Sequence, residues 1–175
     1  MSLESILVSS IMTKKVIVQT DNQTIQAICN TMYENKIGNI LIIRNSVAQN
    51  SINQDKIVGI ITERDVVRIV GSFDPTLYNL PVREIMSKPI ISITPTCSLK
   101  DAMETMQLKN IRRLPVIEPE GKLVGIITSR DIFKIIIKNQ DTMSTFISSN
   151  LVPLSGELYE RFIQYWSDEI LHKTR

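Results

Sequence analysis

Twice along the chain a threonine and an aspartate stand three residues apart after a glycine-containing apolar run: Gly59-Ile-Ile-Thr62-Glu-Arg64-Asp65 and Gly125-Ile-Ile-Thr128-Ser-Arg130-Asp131. One reading is a capping box, in which each hydroxyl accepts from an orphan N–H at a helix start and each carboxylate reaches back to the cap. The other is ligand chemistry. A strand that runs straight into a helix presents N–H groups and the positive dipole end to a ligand. A carboxylate there repels a bare phosphate, yet it can accept both hydrogen bonds of a vicinal diol, which suits a ribose. Both readings stand on the residues. Retention of the whole segment in two places that differ elsewhere points beyond a cap.

A second stretch, Ile111-Arg112-Arg113-Leu114-Pro115-Val116, brings two guanidiniums to the start of an apolar strand. They are either solvated edge residues that discourage aggregation or two-point forks for phosphate oxygens. Neighbouring strand residues face opposite ways, so at most one faces a given ligand. Other chemistry is poorly supplied. The single histidine is His172, which argues against Ser-His-Asp, Cys-His and His-metal sites. Cys29 falls on an apolar helix face and reads as core, and nothing near Cys97 suggests a lowered pKa. Carboxylates are scattered, and neither a Walker loop nor G-x-G-x-x-G occurs. The expectation is no catalytic residue, no metal site and no enzyme activity.

The elements that carry these residues come in duplicate. Lys56–Asp65 and Lys122–Asp131 agree at eight of ten positions, and Ile11-Met-Thr-Lys14 recurs as Ile85-Met-Ser-Lys88. The offset is 74 upstream and 66 downstream, the difference lying in Asn45–Asp55, a polar hairpin extension opposite Pro119-Glu-Gly121. Each copy reads as βαββα. Short extended stretches (Val16–Val18; Ile90–Ile93) precede helices with apolar residues at i, i+3, i+4 and i+7 (Ile25, Ile28, Cys29, Met32; Leu99, Ala102, Met103, Met106). Thr24 and Ser98 are their N-caps. Two strands follow (Ile40–Ile43 and Ile57–Ile61; Leu114–Ile117 and Leu123–Ile127), then a helix from Thr62 or Thr128 with apolar residues on more than one side. A unit of about 60 residues is marginal for a core, so the two belong in one body.

The 175 residues are 43% hydrophobic and 22% charged with net charge +2. That is ordinary globular composition, with no basic field for nucleic acid. No apolar run reaches the roughly 20 residues of a membrane span. The opening Met1-Ser-Leu-Glu-Ser-Ile lacks signal-peptide character, and the two cysteines make no disulfide framework, so a cytoplasmic location is expected.

The paired Gly-Ile-Ile-Thr-x-Arg-Asp stretches, with Ile111–Val116 and, in the first copy, Ile37-Gly38-Asn39-Ile40, resemble a tandem pair of CBS domains, a Bateman module, of the stand-alone archaeal type. The resemblance covers roughly Ser9 to Lys138. It implies an α+β (α/β sandwich) fold. Residues 8–70 form repeat 1, 71–81 a linker, 82–138 repeat 2, and 139–175 an extension. The repeats would pair through their sheets about a pseudo-twofold axis with two clefts between them. It implies a regulatory module that senses adenosine nucleotides (AMP, ADP or ATP) and signals by conformational or assembly change, with no required cofactor. The alternatives are a ligand-independent scaffold or an S-adenosylmethionine sensor. Asp65 and Asp131 would hold ribose hydroxyls, with Thr62 and Thr128 fixing ribose or phosphate. Arg112 and Arg113 match phosphate-contacting positions. Ile37, Gly38, Asn39 and Ile111 would border base or phosphates, and Arg64, Arg130 and Pro115 belong to the same motifs. Repeat 1 departs from the pattern at Leu41 (for Pro115) and Gly38-Asn39 (for the arginines), so the clefts should differ. Implied partners are an adenine nucleotide, a second copy in a homodimer and an unknown effector protein, with neither nucleic acid nor membrane. Leu158, Phe162, Trp166 and Ile170 recur every four residues behind Ser155, predicting an amphipathic helix over about 156–172 that serves as a lid or a dimer contact.

Overall fold

The computed structural model describes residues 3–44 and 56–138. The extension at Asn45–Asp55 and the expected helix over 156–172 lie outside the described residues.

The described chain divides into two compact units. One comprises residues 15–44 and 56–91, with 120–123. The other comprises residues 3–14, 92–119 and 124–138. Each unit thus contains the body of one repeat and the leading segment of the other, an exchange the sequence did not suggest.

In the first unit, strands β1 (Val18–Thr20), β2 (Asn39–Arg44) and β3 (Lys56–Thr62) form a sheet in that order, β1 parallel and β3 antiparallel to β2. Helix α1 (Ile25–Asn35) starts at Thr24, whose side chain accepts from Ala27 N–H, and helix α2 (Glu63–Gly71) follows β3 directly. Ile28, Met32, Ile40, Ile42, Ile61, Val82 and Met86 make one buried cluster, each worth roughly 1.5–3 kcal/mol on burial. The linker continues as a short 3-10 turn at Pro75–Asn79, with Asp74 capping it through Thr76 N–H.

The second unit repeats the plan with strands β4 (Arg113–Ile117) and β5 (Leu123–Thr128) and helices α3 (Leu99–Leu108) and α4 (Ser129–Lys138). Ser98 and Asp101 close a reciprocal capping box on α3. The expected strand at Ile90–Ile93 shrinks to one parallel bridge, Ile93 with Val116. Pro115 gives the reason. Leu41 N–H in repeat 1 donates to Ile17 O at 3.4 Å, and proline at the matching position has no N–H to donate. In repeat 1 the first strand is displaced to Val18–Thr20 from the expected Val16–Val18.

The exchanged segments dock identically. Ser87 pairs with Ile60 in one unit and Thr13 with Ile126 in the other, through bonds in both directions of 2.9–3.2 Å. Upstream, Val82 N–H donates to Gln23 O (2.7 Å) and Val8 N–H to Cys97 O (2.8 Å). Glycine is required where they cross. A Cβ on Gly59 would lie 2.6 Å from Met86 Sδ, and one on Gly125 2.7 Å from Met12 Sδ.

The last helices are apolar on several sides, as expected, but unequally covered. Ile132, Phe133 and Ile136 are buried on α4, as is Ile69 on α2, whereas Val67 (69%) and Val70 (51%) are exposed.

Candidate functional site

The same backbone device delivers the candidate residues in both units. Helix α1 ends where Lys36 turns left-handed (φ 52°), and Ile37 N–H then donates back to Met32 O at 3.0 Å. Helix α3 ends at the matching place, with Asn110 at φ 51° and Ile111 N–H on Met106 O at 2.9 Å. These left-handed turns satisfy helix-end carbonyls and re-aim the chain into β2 and β4. Their exits lie against the starts of the last helices. Glu63 N–H donates to Gly38 O at 3.2 Å, and Ser129 N–H to Arg112 O at 3.0 Å. Asn39 is paired with Thr62 across β2 and β3. Gly38, Asn39, Thr62, Arg64 and Asp65 are therefore neighbours along one edge, and Arg112, Arg113, Thr128, Arg130 and Asp131 along the other.

The capping-box reading is realised in both copies. Asp65 Oδ2 accepts from Thr62 N–H (2.9 Å) and Thr62 Oγ1 (2.7 Å). Asp131 Oδ2 accepts from Thr128 N–H (3.0 Å) and Thr128 Oγ1 (2.6 Å), while Asp131 N–H donates to Thr128 Oγ1 at 3.3 Å. Each threonine proton is committed to its aspartate, so the hydroxyl orients the carboxylate. Asp65 is 7% exposed, and its Oδ1 meets the largely exposed Arg68 side chain at 3.3 Å. A buried carboxylate with one oxygen fixed by the cap and the other at the edge is chemically a bidentate acceptor held in place.

The edges differ in charge. Arg112 and Arg113 are half-buried at the repeat 2 edge, where guanidiniums suit phosphate oxygens. Arg64, Arg113 and Arg130 each have an interaction partner in the protein. Repeat 1 offers Gly38 and Asn39 instead, and Glu63, which the sequence did not single out, brings its carboxylate onto Gly38. Pro115 is buried within β4, and its carbonyl accepts from Ile93 N–H at 3.0 Å, a strand role. Ile37 packs against the core cluster.

Adjoining the repeat 1 edge, and sharing Glu63 with it, a groove of about 640 Å³ runs between α1 and α2, lined by Cys29, Tyr33, Lys36, Val66 and Val67 among others. Burial pushes the Cys29 thiol above its ordinary value, which makes it a poor nucleophile at neutral pH. Among the described residues there is no group of three or more metal-ligating side chains, and no helix long and apolar enough to cross a membrane.

Comparison with known proteins agrees with this architecture. The family model of the CBS domain matches residues 8–72 and 82–138. An uncharacterized protein of Methanopyrus kandleri is 33% identical over 133 residues, spanning 76% of this chain and 64% of that relative's length. The crystal structure of the CBS domain pair of protein MJ0100, in complex with 5-methylthioadenosine and S-adenosyl-L-methionine, is 25% identical with TM-score 0.61, covering 74% of this chain and 98% of that one. A CBS domain protein of Pyrobaculum aerophilum complexed with AMP shares the fold at 22% identity and TM-score 0.67, covering 82% of this chain and 100% of that one. With two matched repeats covering most of its length and the doubled plan seen in its units, the chain belongs to the CBS-domain family as a tandem CBS protein.

Proposed function

We propose that this protein is a regulatory module that binds an adenosine nucleotide and passes the occupancy on through a change of conformation or assembly, without turning the ligand over. The observation that carries the reading is the doubled edge: an aspartate fixed at a helix start in each unit, joined in repeat 2 by Arg112 and Arg113. Asp131 would take the ribose diol through the oxygen its cap leaves over, and one of the two arginines the phosphate. AMP, ADP and ATP share those two features. The solved pair with S-adenosyl-L-methionine and 5-methylthioadenosine supports an adenosine moiety as the common element and favours, as a second reading, a sensor of sulfonium nucleosides.

Self-association is the proposed output. Tyr33 (86% exposed) and Val67 (69%) line the α1–α2 groove and Val70 (51%) continues α2 beyond it, a surface suited to a second copy. Val67→Asp should turn a dimer into a monomer in light scattering while leaving the melting temperature of the monomer intact. A dimer that survives Val67→Asp would move the contact elsewhere, residues 139–175 being the next segment to truncate.

Calorimetry with adenosine, AMP, ADP, ATP and S-adenosylmethionine tests the ligand. A bound nucleotide at 100 times its dissociation constant should stabilise the fold by about 2.7 kcal/mol. Failure of every one to bind ligand-free protein would refute the reading, leaving a scaffold. ATP should remain intact over prolonged incubation with magnesium.

A further inference from the structure

We propose that Glu63 is a specificity determinant that turns repeat 1 toward nucleosides whose 5′ substituent is uncharged or cationic, leaving phosphorylated nucleosides to repeat 2. The inference rests on the adenosine-nucleotide reading above and deepens it.

Gly38 and Arg112 hold the same place in the two units, as do Glu63 and Ser129, because the same backbone bond joins each pair (Glu63 N–H to Gly38 O; Ser129 N–H to Arg112 O). The side chains are exchanged in sign. In repeat 2 the pair is an arginine and a serine. In repeat 1 the carboxylate of Glu63 occupies the space over Gly38: a Cβ there would lie 2.8 Å from Cδ and Oε2 and 2.9 Å from Oε1. A side chain at position 38 would require the Glu63 carboxylate to move, so in this arrangement the carboxylate fills the place a larger residue would take.

The helix start reinforces it. The first turn of α2 carries two acids, Glu63 and Asp65, where that of α4 carries Asp131. Carboxylates there answer the positive dipole end that would otherwise attract a phosphate. Arg64 has its counterpart in Arg130, so the two edges differ by Glu63 on one side and the Arg112–Arg113 pair on the other, and a 5′-phosphate at repeat 1 would meet like charge without that pair to offset it. A neutral 5′-hydroxyl or thioether would not, and a sulfonium or ammonium group would be attracted. Glu63 is exposed, so its effect should be screened by salt.

The test uses the full chain with Arg112→Ala and Arg113→Ala, so that repeat 2 no longer selects for phosphate, and compares it with the same protein carrying Glu63→Gln. AMP and adenosine are titrated by calorimetry. At low salt the AMP-to-adenosine affinity ratio should rise about tenfold on Glu63→Gln. Glu63→Ser should do the same and Glu63→Asp much less, and the rise should shrink at about 0.5 M salt. An unchanged ratio with adenosine still bound would overturn the role of Glu63 and leave the nucleotide reading standing. Absence of binding by adenosine and AMP alike in the unsubstituted chain would overturn both.

Discussion

The edge of repeat 1 and the edge of repeat 2 are built from one backbone and carry opposite charge. Both follow a left-handed turn, at Lys36 and Asn110. Both meet a helix whose start is closed by a threonine and an aspartate, with Thr Oγ1 to Asp Oδ2 distances of 2.7 and 2.6 Å. Beside that shared frame, one unit presents Gly38, Asn39 and Glu63 and the other Arg112, Arg113 and Ser129. Cap geometry and edge charge are thus independent variables in this fold. Side chains exposed beside the cap can be exchanged without disturbing the hydrogen bonds that hold the aspartate.

The comparison can be broken most severely where the units are alike. Gly59→Ala and Gly125→Ala would each drive a methyl group against a methionine sulfur and a backbone carbonyl (Ser87 O at 3.0 Å; Thr13 O at 2.9 Å). Each should cost about 1–3 kcal/mol in denaturant unfolding. A Cβ on Gly71 meets nothing within 4 Å, so Gly71→Ala should be neutral or stabilise by up to about 1 kcal/mol. Equal costs in the two units would sharpen the equivalence of the exchanged segments, and a neutral Gly125→Ala would break it.

Next come the caps. Asp65→Asn and Asp131→Asn should each lose roughly 1 kcal/mol by weakening the capping box, with similar shifts in urea midpoint. A loss confined to one would show that the two boxes are not energetically equivalent. Smaller again is the left-handed turn. Lysine tolerates positive φ less well than asparagine, so Lys36→Gly should stabilise by about 0.5–1 kcal/mol and Asn110→Gly by less, read as melting temperatures.

The smallest effect separates repeat 2 by pH. Hydrogen bonds from Ser98 hold the Asp101 carboxyl below its usual range of 3.8. A carboxyl lowered on folding contributes stability above its unfolded pKa and loses it as pH falls through its folded value. Asp101→Asn should therefore be less stable than the parent at pH 7, and the difference should close as the pH falls below about 4. A difference unchanged with pH would assign the effect to shape alone.

Much of this was legible in the sequence where interactions are local. The apolar spacing from Ile25 to Met32 and from Leu99 to Met106, with Thr24 and Ser98 ahead of them, gives the starts and buried faces of α1 and α3 because caps and helix faces are short-range. The Thr-x-x-Asp pairs give the starts of α2 and α4 for the same reason. What escaped is non-local. Ser87 bonds Ile60 and Thr13 bonds Ile126, partners 27 and 113 residues apart, and no periodicity announces that exchange. The loss of a regular strand at Ile90–Ile93 turned on one missing N–H at Pro115 in a neighbouring strand. Glu63 reads as an ordinary first-turn acid until Gly38, 25 residues earlier, is seen beneath it. The sequence places apolar residues on more than one side of α2, and only the packed unit shows that Val67 and Val70 are left exposed.

The central claim, that a shared ribose grip is combined with unequal phosphate recognition, is tested most directly by titrating Arg112→Ala/Arg113→Ala and the parent with AMP and with adenosine. The account predicts that the double substitution weakens AMP by about 3 kcal/mol, from the loss of charge-assisted bonds, and changes adenosine little. An equal loss for adenosine and AMP would contradict it and show that the arginines act through the fold.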